Sequence, residues 1–399
     1  MILRIPLQLA LCVFTLYTPS AYAATKRRAL TALSTPELGS LAALKDLGAN
    51  VDPASPSSHL SRILIPRALK VAAGTDNNTK VRDYIAGTMR TLGWTVELDQ
   101  FTDKTPYGEK FFANVIATKD PKAARRVILS AHFDSKFFST FPESQFLGAT
   151  DSAAPCAMML DLAEALDPLL DRRKALKDAA TTDAGTEEDD VTLQLVWFDG
   201  EEAFKAWTHT DSVYGARHLA QKWQNTYIDP RQKRRLHPTA TELSTIDHLI
   251  LLDLLGSPRP RIQSYFPSTA WLFDAMASAE KRVLDAGLLA EAGGPKAWSA
   301  GDSFFAERTG TERFGGIEDD HLPFLQRGVE ILHIIASPFP QVWHSLRDDA
   351  SALDLPTMRR WNLVLRVFFS EYFGLRPDLP APAAASSTES KLRRADEEL

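Results

Sequence analysis

Two adjacent carboxylates, Glu201 and Glu202, follow the apolar run in "LVWFDGEEAFKAW" (Leu195–Trp207). Neighbouring side chains project differently, so one acid can bind a metal while the other moves a proton. Asp151 in "GATDSAAPC" and His344 in "QVWHS" supply a further carboxylate and an imidazole. Asp, Glu and His form a mixed oxygen and nitrogen set that zinc accepts at ~2.0–2.2 Å, keeping a fourth position open for substrate. Each residue also has a plainer explanation. Asp151 and Ser152 suit a helix cap, Glu202 a first-turn carboxylate facing a helix dipole, and His344 a surface loop. Spacing alone does not define the site, because the H-E-x-x-H helix that would do so is absent. Asp253, at the end of "HLILLDLLG", is an acid in an apolar run and requires a partner, whether structural or catalytic.

The elements that must bring these residues together are legible as apolar runs alternating with helical patterns. "WTVELDQF" and "FFANVIAT" read as an early strand pair. "RRVILSAH", "VTLQLVWF", "HLILLDLL" and "VEILHIIA" read as fully buried strands. Helical patterns fall at Ser152–Leu169, Tyr214–Gln224, Ser268–Leu289 and Met358–Phe373. This alternation predicts an α/β fold: a mixed, centrally parallel β-sheet covered by helices on both faces. In such sheets ligands bind outside the carboxyl ends of the strands. "AHFDS", "DGEE", "LLDLLGS" and "SPFPQVWH" all follow strands there, so one sheet edge collects the candidate residues.

The chain has 399 residues, 44% hydrophobic and 24% charged, enough for a large core. Its net charge of −6 offers no basic surplus for nucleic acid. Residues 1–23 read as a secretory signal peptide, with Arg4, an apolar run too short to span a bilayer, and Ala21-Tyr22-Ala23 for cleavage. Secretion or residence in the secretory lumen is therefore expected, with no membrane span after cleavage. Cys12 lies in this leader, leaving Cys156 alone in the mature chain. Residues 24–58 read as a polar, helix-prone segment, 59–375 as the compact catalytic domain, and 376–399 as a disordered Pro/Ala/Ser-rich and charged tail. Residues 171–190 read as a surface insertion or mobile loop. Asn77-Asn78-Thr79 forms a glycosylation sequon.

"RILIPR", "AHFDSK", "LGATDSAAPCAMMLDLAEAL", "DGEEAFKAW", "DSVYGARHLA", "LLDLLG", "EDDHLPFLQRGVEILH" and "SPFPQVWH", in this order between Ser61 and Leu375, resemble the glutaminyl-peptide cyclotransferases. Their wider superfamily contains dinuclear zinc aminopeptidases with the same α/β sheet. The resemblance implies one zinc per chain on Asp151, Glu202 and His344, with Glu201 as proton shuttle and Asp253 holding the substrate amide. It implies a narrow apolar pocket walled by Trp207, Phe339 and Trp343. Asp319 would join Asp253 and Glu201 in a hydrogen-bond network, with His333 in support. The implied partners are peptides or proteins with N-terminal glutamine, converted to pyroglutamyl peptides with release of ammonia by a monomeric enzyme. Ser130 stands where secreted animal members carry a cysteine, so their disulfide to the position of Cys156 is not expected here. A dinuclear aminopeptidase remains the alternative, since His132, Asp151, Glu202, Asp253 and His344 could together bind two zincs. A catalytically inactive binding domain should have lost ligands, and none is missing.

Overall fold

A computed structural model describes residues 30–69, 77–179, 190–232, 234–289, 302–308 and 317–377. The leader at 1–23, most of the tail and positions 180–189 lie outside the described residues. Among the described residues no helix is long and apolar enough to cross a membrane.

Six strands form one sheet: β1 (Thr95–Thr105), β2 (Gly108–Thr118), β3 (Arg125–His132), β4 (Val191–Phe198), β5 (Ile246–Asp253) and β6 (Ile331–Ile335), in the order β1-β2-β4-β3-β5-β6. β1 and β2 form an antiparallel hairpin, and β2 joins β4 antiparallel. The strands β4, β3, β5 and β6 run parallel. β4 and β5 are buried at every position because both sheet faces are covered, which is why they read as unbroken apolar runs. The edge strand β1 instead alternates in exposure along most of its length.

The eight helices among the described residues are α1 (Thr35–Ala43), α2 (His59–Ile63), α3 (Asn77–Thr91), α4 (Ala154–Ala179), α5 (Tyr214–Asn225), α6 (Ala270–Asp285), α7 (Leu322–Leu325) and α8 (Leu355–Phe373). Strand periodicity divides the core in two. Val127, Leu129, Leu193, Leu195, Ile250 and Leu252 pack with α1 to α4, α6 and α8. Ile128, Val196, Leu249 and Leu251 face the other way, onto Leu219 and Trp223 of α5 and Phe324 of α7.

Two segments depart from the expectation. Asp171–Ala179 continue α4 rather than form a loop; "DRRKALKDA" is rich in good helix formers, and Lys174 pairs with Asp178 one turn on. The polar segment before His59 contributes Leu33, Leu38, Leu41, Leu47 and Val51 to the larger core. The Leu33 N–H donates to Glu371 Oε1 on α8 at 2.7 Å, fastening this segment to the last helix.

Candidate active site

The carboxyl ends of β3, β4, β5 and β6 lie at one edge of the sheet, and the loops leaving them enclose a cavity of ≈ 680 Å³. Asp151 sits in an irregular turn, Ala149–Ala153, that delivers the chain into α4. Gly148 makes this turn possible. Its φ is +57°, and a Cβ there would stand 2.2 Å from the Asp151 carbonyl oxygen. Glu201 and Glu202 follow β4 through Gly200, whose φ is +71° and whose Cβ would strike the Phe112 ring. His344 lies in the loop after β6, with its backbone at φ 52°.

Asp151, Glu202 and His344 converge, each offering a ligand atom within 4.8 Å of the others. His344 Nε2 lies 3.3 Å from both Asp151 Oδ2 and Glu202 Oε1. Both of those oxygens are buried and accept no hydrogen bond. Orphaned buried carboxylate oxygens are costly, and donors sharing a tetrahedral zinc ion stand roughly 3.3 Å apart. The donor set therefore fits a divalent metal. Burial opposes charge on His344, but Asp151 and Glu202 outweigh it and push its pKa up to about 9.

The second oxygen of each carboxylate is occupied. Asp151 Oδ1 lies 3.0 Å from His132 Nε2, and Glu202 Oε2 accepts from Lys136 Nζ at 3.2 Å. His132, Asp151 and Asp253 form another close group. Asp253 Oδ1, however, already accepts the Ser152 hydroxyl and the Leu254 N–H. That oxygen is spent on the fold, unlike those facing His344.

Glu201 lines the cavity beside these groups, 7% exposed, with no described residue donating to its carboxylate. Burial drives its pKa well above the usual carboxylate range; His132 pulls it down, while Glu202, Asp319 and Asp320 push it further up. Asp319 departs from the implied network. Its Oδ2 bonds His333 Nε2 at 2.8 Å, and among the described residues no direct hydrogen bond joins it to Glu201 or Asp253. It acts on them through charge, and burial together with Asp253 raises its own pKa.

Trp207, Phe339 and Trp343 line the same cavity, as does His333. Trp343 stacks on the His344 ring at 3.8 Å and meets Phe339 edge-on at 5.0 Å. The Trp207 indole N–H donates to Glu318 Oε2 at 2.9 Å, joining two walls. At 39% and 43% exposure, Trp207 and Trp343 still present ring surface to an entering ligand.

Three further residues, Asp134, Arg67 and Lys136, build this site without any local sequence pattern that assigns them a role. The Asp134 carboxylate accepts the backbone N–H of Glu201 at 3.1 Å and of Glu202 at 3.2 Å. Arg67, fully buried, donates to the Phe133 carbonyl at 2.5 Å and to the Gly148 carbonyl at 3.1 Å, joining the β3 loop to the Asp151 turn. Lys136 is the third. "RILIPR" and "AHFDSK" contain them, and an arginine ending an apolar run was the available signal. Cys156 is free and buried, donating to the His132 carbonyl.

The profile of peptidase family M28 matches residues 114–369. A glutaminyl-peptide cyclotransferase-like protein of Bos taurus is 44% identical over 304 residues, covering 76% of this chain and 72% of its own. The glutaminyl-peptide cyclotransferase of Drosophila melanogaster is 42% identical over 315 residues, covering 78% and 79%. Among solved structures, Macrostomum lignano glutaminyl cyclase superposes with a TM-score of 0.71 at 35% identity, covering 90% of this chain and 98% of that one.

Proposed function

Since the chain belongs to peptidase family M28 and, within it, to the glutaminyl-peptide cyclotransferases, we propose that it cyclises N-terminal glutaminyl residues of peptides to pyroglutamate at the edge of β3–β6, using one zinc ion. The observation that carries the reading is the pairing of Glu201, which accepts no hydrogen bond from a described residue, with the three convergent donors at one cavity. Asp151, Glu202 and His344 would hold the ion, which when bound supplies a Lewis acid for the side-chain carbonyl. One ion is assigned because Asp151 and Glu202 turn orphaned oxygens to His344, whereas Asp253 Oδ1 already accepts two hydrogen bonds.

Trp207, Phe339 and Trp343 fold the glutamine side chain back on itself, so that the α-amine meets its own side-chain carbon. Holding the reactants in that geometry supplies much of the acceleration. The new N–C bond forms as the bond to the amide nitrogen breaks. Glu201 accepts the proton released by the amine and delivers it to the departing nitrogen, which leaves as ammonia. Its raised proton affinity suits exchange with amines. Asp253 orients the amide nitrogen, and Asp319 with His333 contributes negative charge that keeps the proton on Glu201 until it is needed. No enzymic nucleophile is required. Export under the leader at residues 1–23 and action as a monomer complete the reading.

Purified protein incubated with Gln-initiated peptides should release one ammonia per peptide, read as the matching mass loss. Stepwise removal of N-terminal residues without that loss would establish an aminopeptidase instead.

A further inference from the structure

The two carboxylates facing His344 are built alike. Each points one orphaned oxygen at Nε2 and gives the other to a basic side chain: Asp151 to His132, Glu202 to Lys136. Lys136 belongs to the loop after β3, which also clamps the backbone of the Glu201–Glu202 pair through Asp134. Its side chain is one-fifth exposed and lines the cavity. Glu202 is nearly buried, so its second oxygen has little access to solvent.

We propose that Lys136 is a positioning residue for Glu202, restricting it to one metal-facing oxygen and placing a positive charge beside the donor set. The inference rests on the single-zinc cyclase reading. Two carboxylates and a neutral imidazole cancel the charge of a divalent ion and weaken it as an electrophile. Lys136 draws charge from Glu202 and leaves the cluster net positive, favouring the charge that develops on a reacting carbonyl oxygen.

The test uses wild type, Lys136→Met and Lys136→Arg, each loaded with zinc and, separately, with cobalt. Methionine keeps the apolar stem of this largely buried side chain and removes its charge. Lys136→Met should retain one equivalent of metal yet lose roughly 10–100-fold in kcat with KM little changed. The visible cobalt absorption should weaken as Glu202 turns to two-oxygen binding and the coordination number rises. Arginine should restore part of both. Unchanged kcat and spectrum overturn the proposal. So does a rise in KM alone, which would make Lys136 a substrate contact, or failure of the variant to retain metal. If wild type itself neither binds metal nor cyclises, the underlying reading fails and this one with it. If wild type does both and Lys136→Met matches it, only the assignment to Lys136 fails.

Discussion

Glu201 and Glu202 are neighbours in sequence yet inhabit different environments. The Asp134 clamp holds both backbone N–H groups, while the side chains diverge. Glu202 stands between Lys136 and His344, and Glu201 faces the cavity among other acids. Glu201→Gln, which preserves volume and removes the base, should lower kcat by roughly 10²–10⁴-fold while the protein still retains one equivalent of zinc by elemental analysis. Loss of the metal in that variant would reverse the division of labour. The pH dependence follows from the same environment. Glu201 must be ionised to accept a proton, and burial raises its pKa. Activity is thus present above the raised value and lost as pH falls through it. The acid limb of kcat/KM should lie clearly above the ~4.3 of an unperturbed glutamate, and should vanish from the residual activity of Glu201→Gln.

At the scale of elements, the loops are held from beneath by buried polar links. Arg67 joins two of the site loops. Further from the chemistry, Arg366 on α8 grips Asp161 on α4 through both carboxylate oxygens, each side chain fully buried. Burial outweighs the attraction of Arg366 and leaves the Asp161 pKa raised, so this pair fixes how α4 and α8 pack more than it adds net stability. Arg366→Met should strand the Asp161 charge and cost ~3–5 kcal/mol in denaturant unfolding, whereas Arg366→Met with Asp161→Leu should recover much of the loss. These links also mark the limit of legibility. The strands were readable because burial on both faces makes an unbroken apolar run, and the helices because their spacing is periodic. Asp151, Glu202 and His344 were readable as candidates because polar residues at strand ends are conspicuous. The partners of Asp134, Lys136 and Arg67 lie up to 84 positions away, and no local pattern encodes such a pairing. His333 stands beside Asp319 as the resemblance implied, but among the described residues Asp319 bonds it and not Asp253 or Glu201.

For the whole molecule, the candidate metal corner joins three separate lengths of chain: the turn before α4, the exit of β4 and the loop after β6. Each is anchored to the sheet on its own, yet their orphaned oxygens meet only at His344. Asp151 and Glu202 face each other across His344 Nε2, whose single hydrogen cannot satisfy both orphaned oxygens. An ion that binds this folded arrangement and not the unfolded chain stabilises it by mass action, by about 4 kcal/mol at a free concentration a thousand times its Kd. Chelation should therefore lower the melting temperature as well as abolish turnover, and added zinc should restore both along one titration curve. The number of equivalents decides between the two chemistries this sheet edge could support. With Asp253 Oδ1 already accepting Ser152 and Leu254, and His132 committed to Asp151, restoration should be complete at one equivalent. A second equivalent raising activity further would mean that His132 and Asp253 abandon these partners for a metal. The arrangement would then be the dinuclear one of an aminopeptidase.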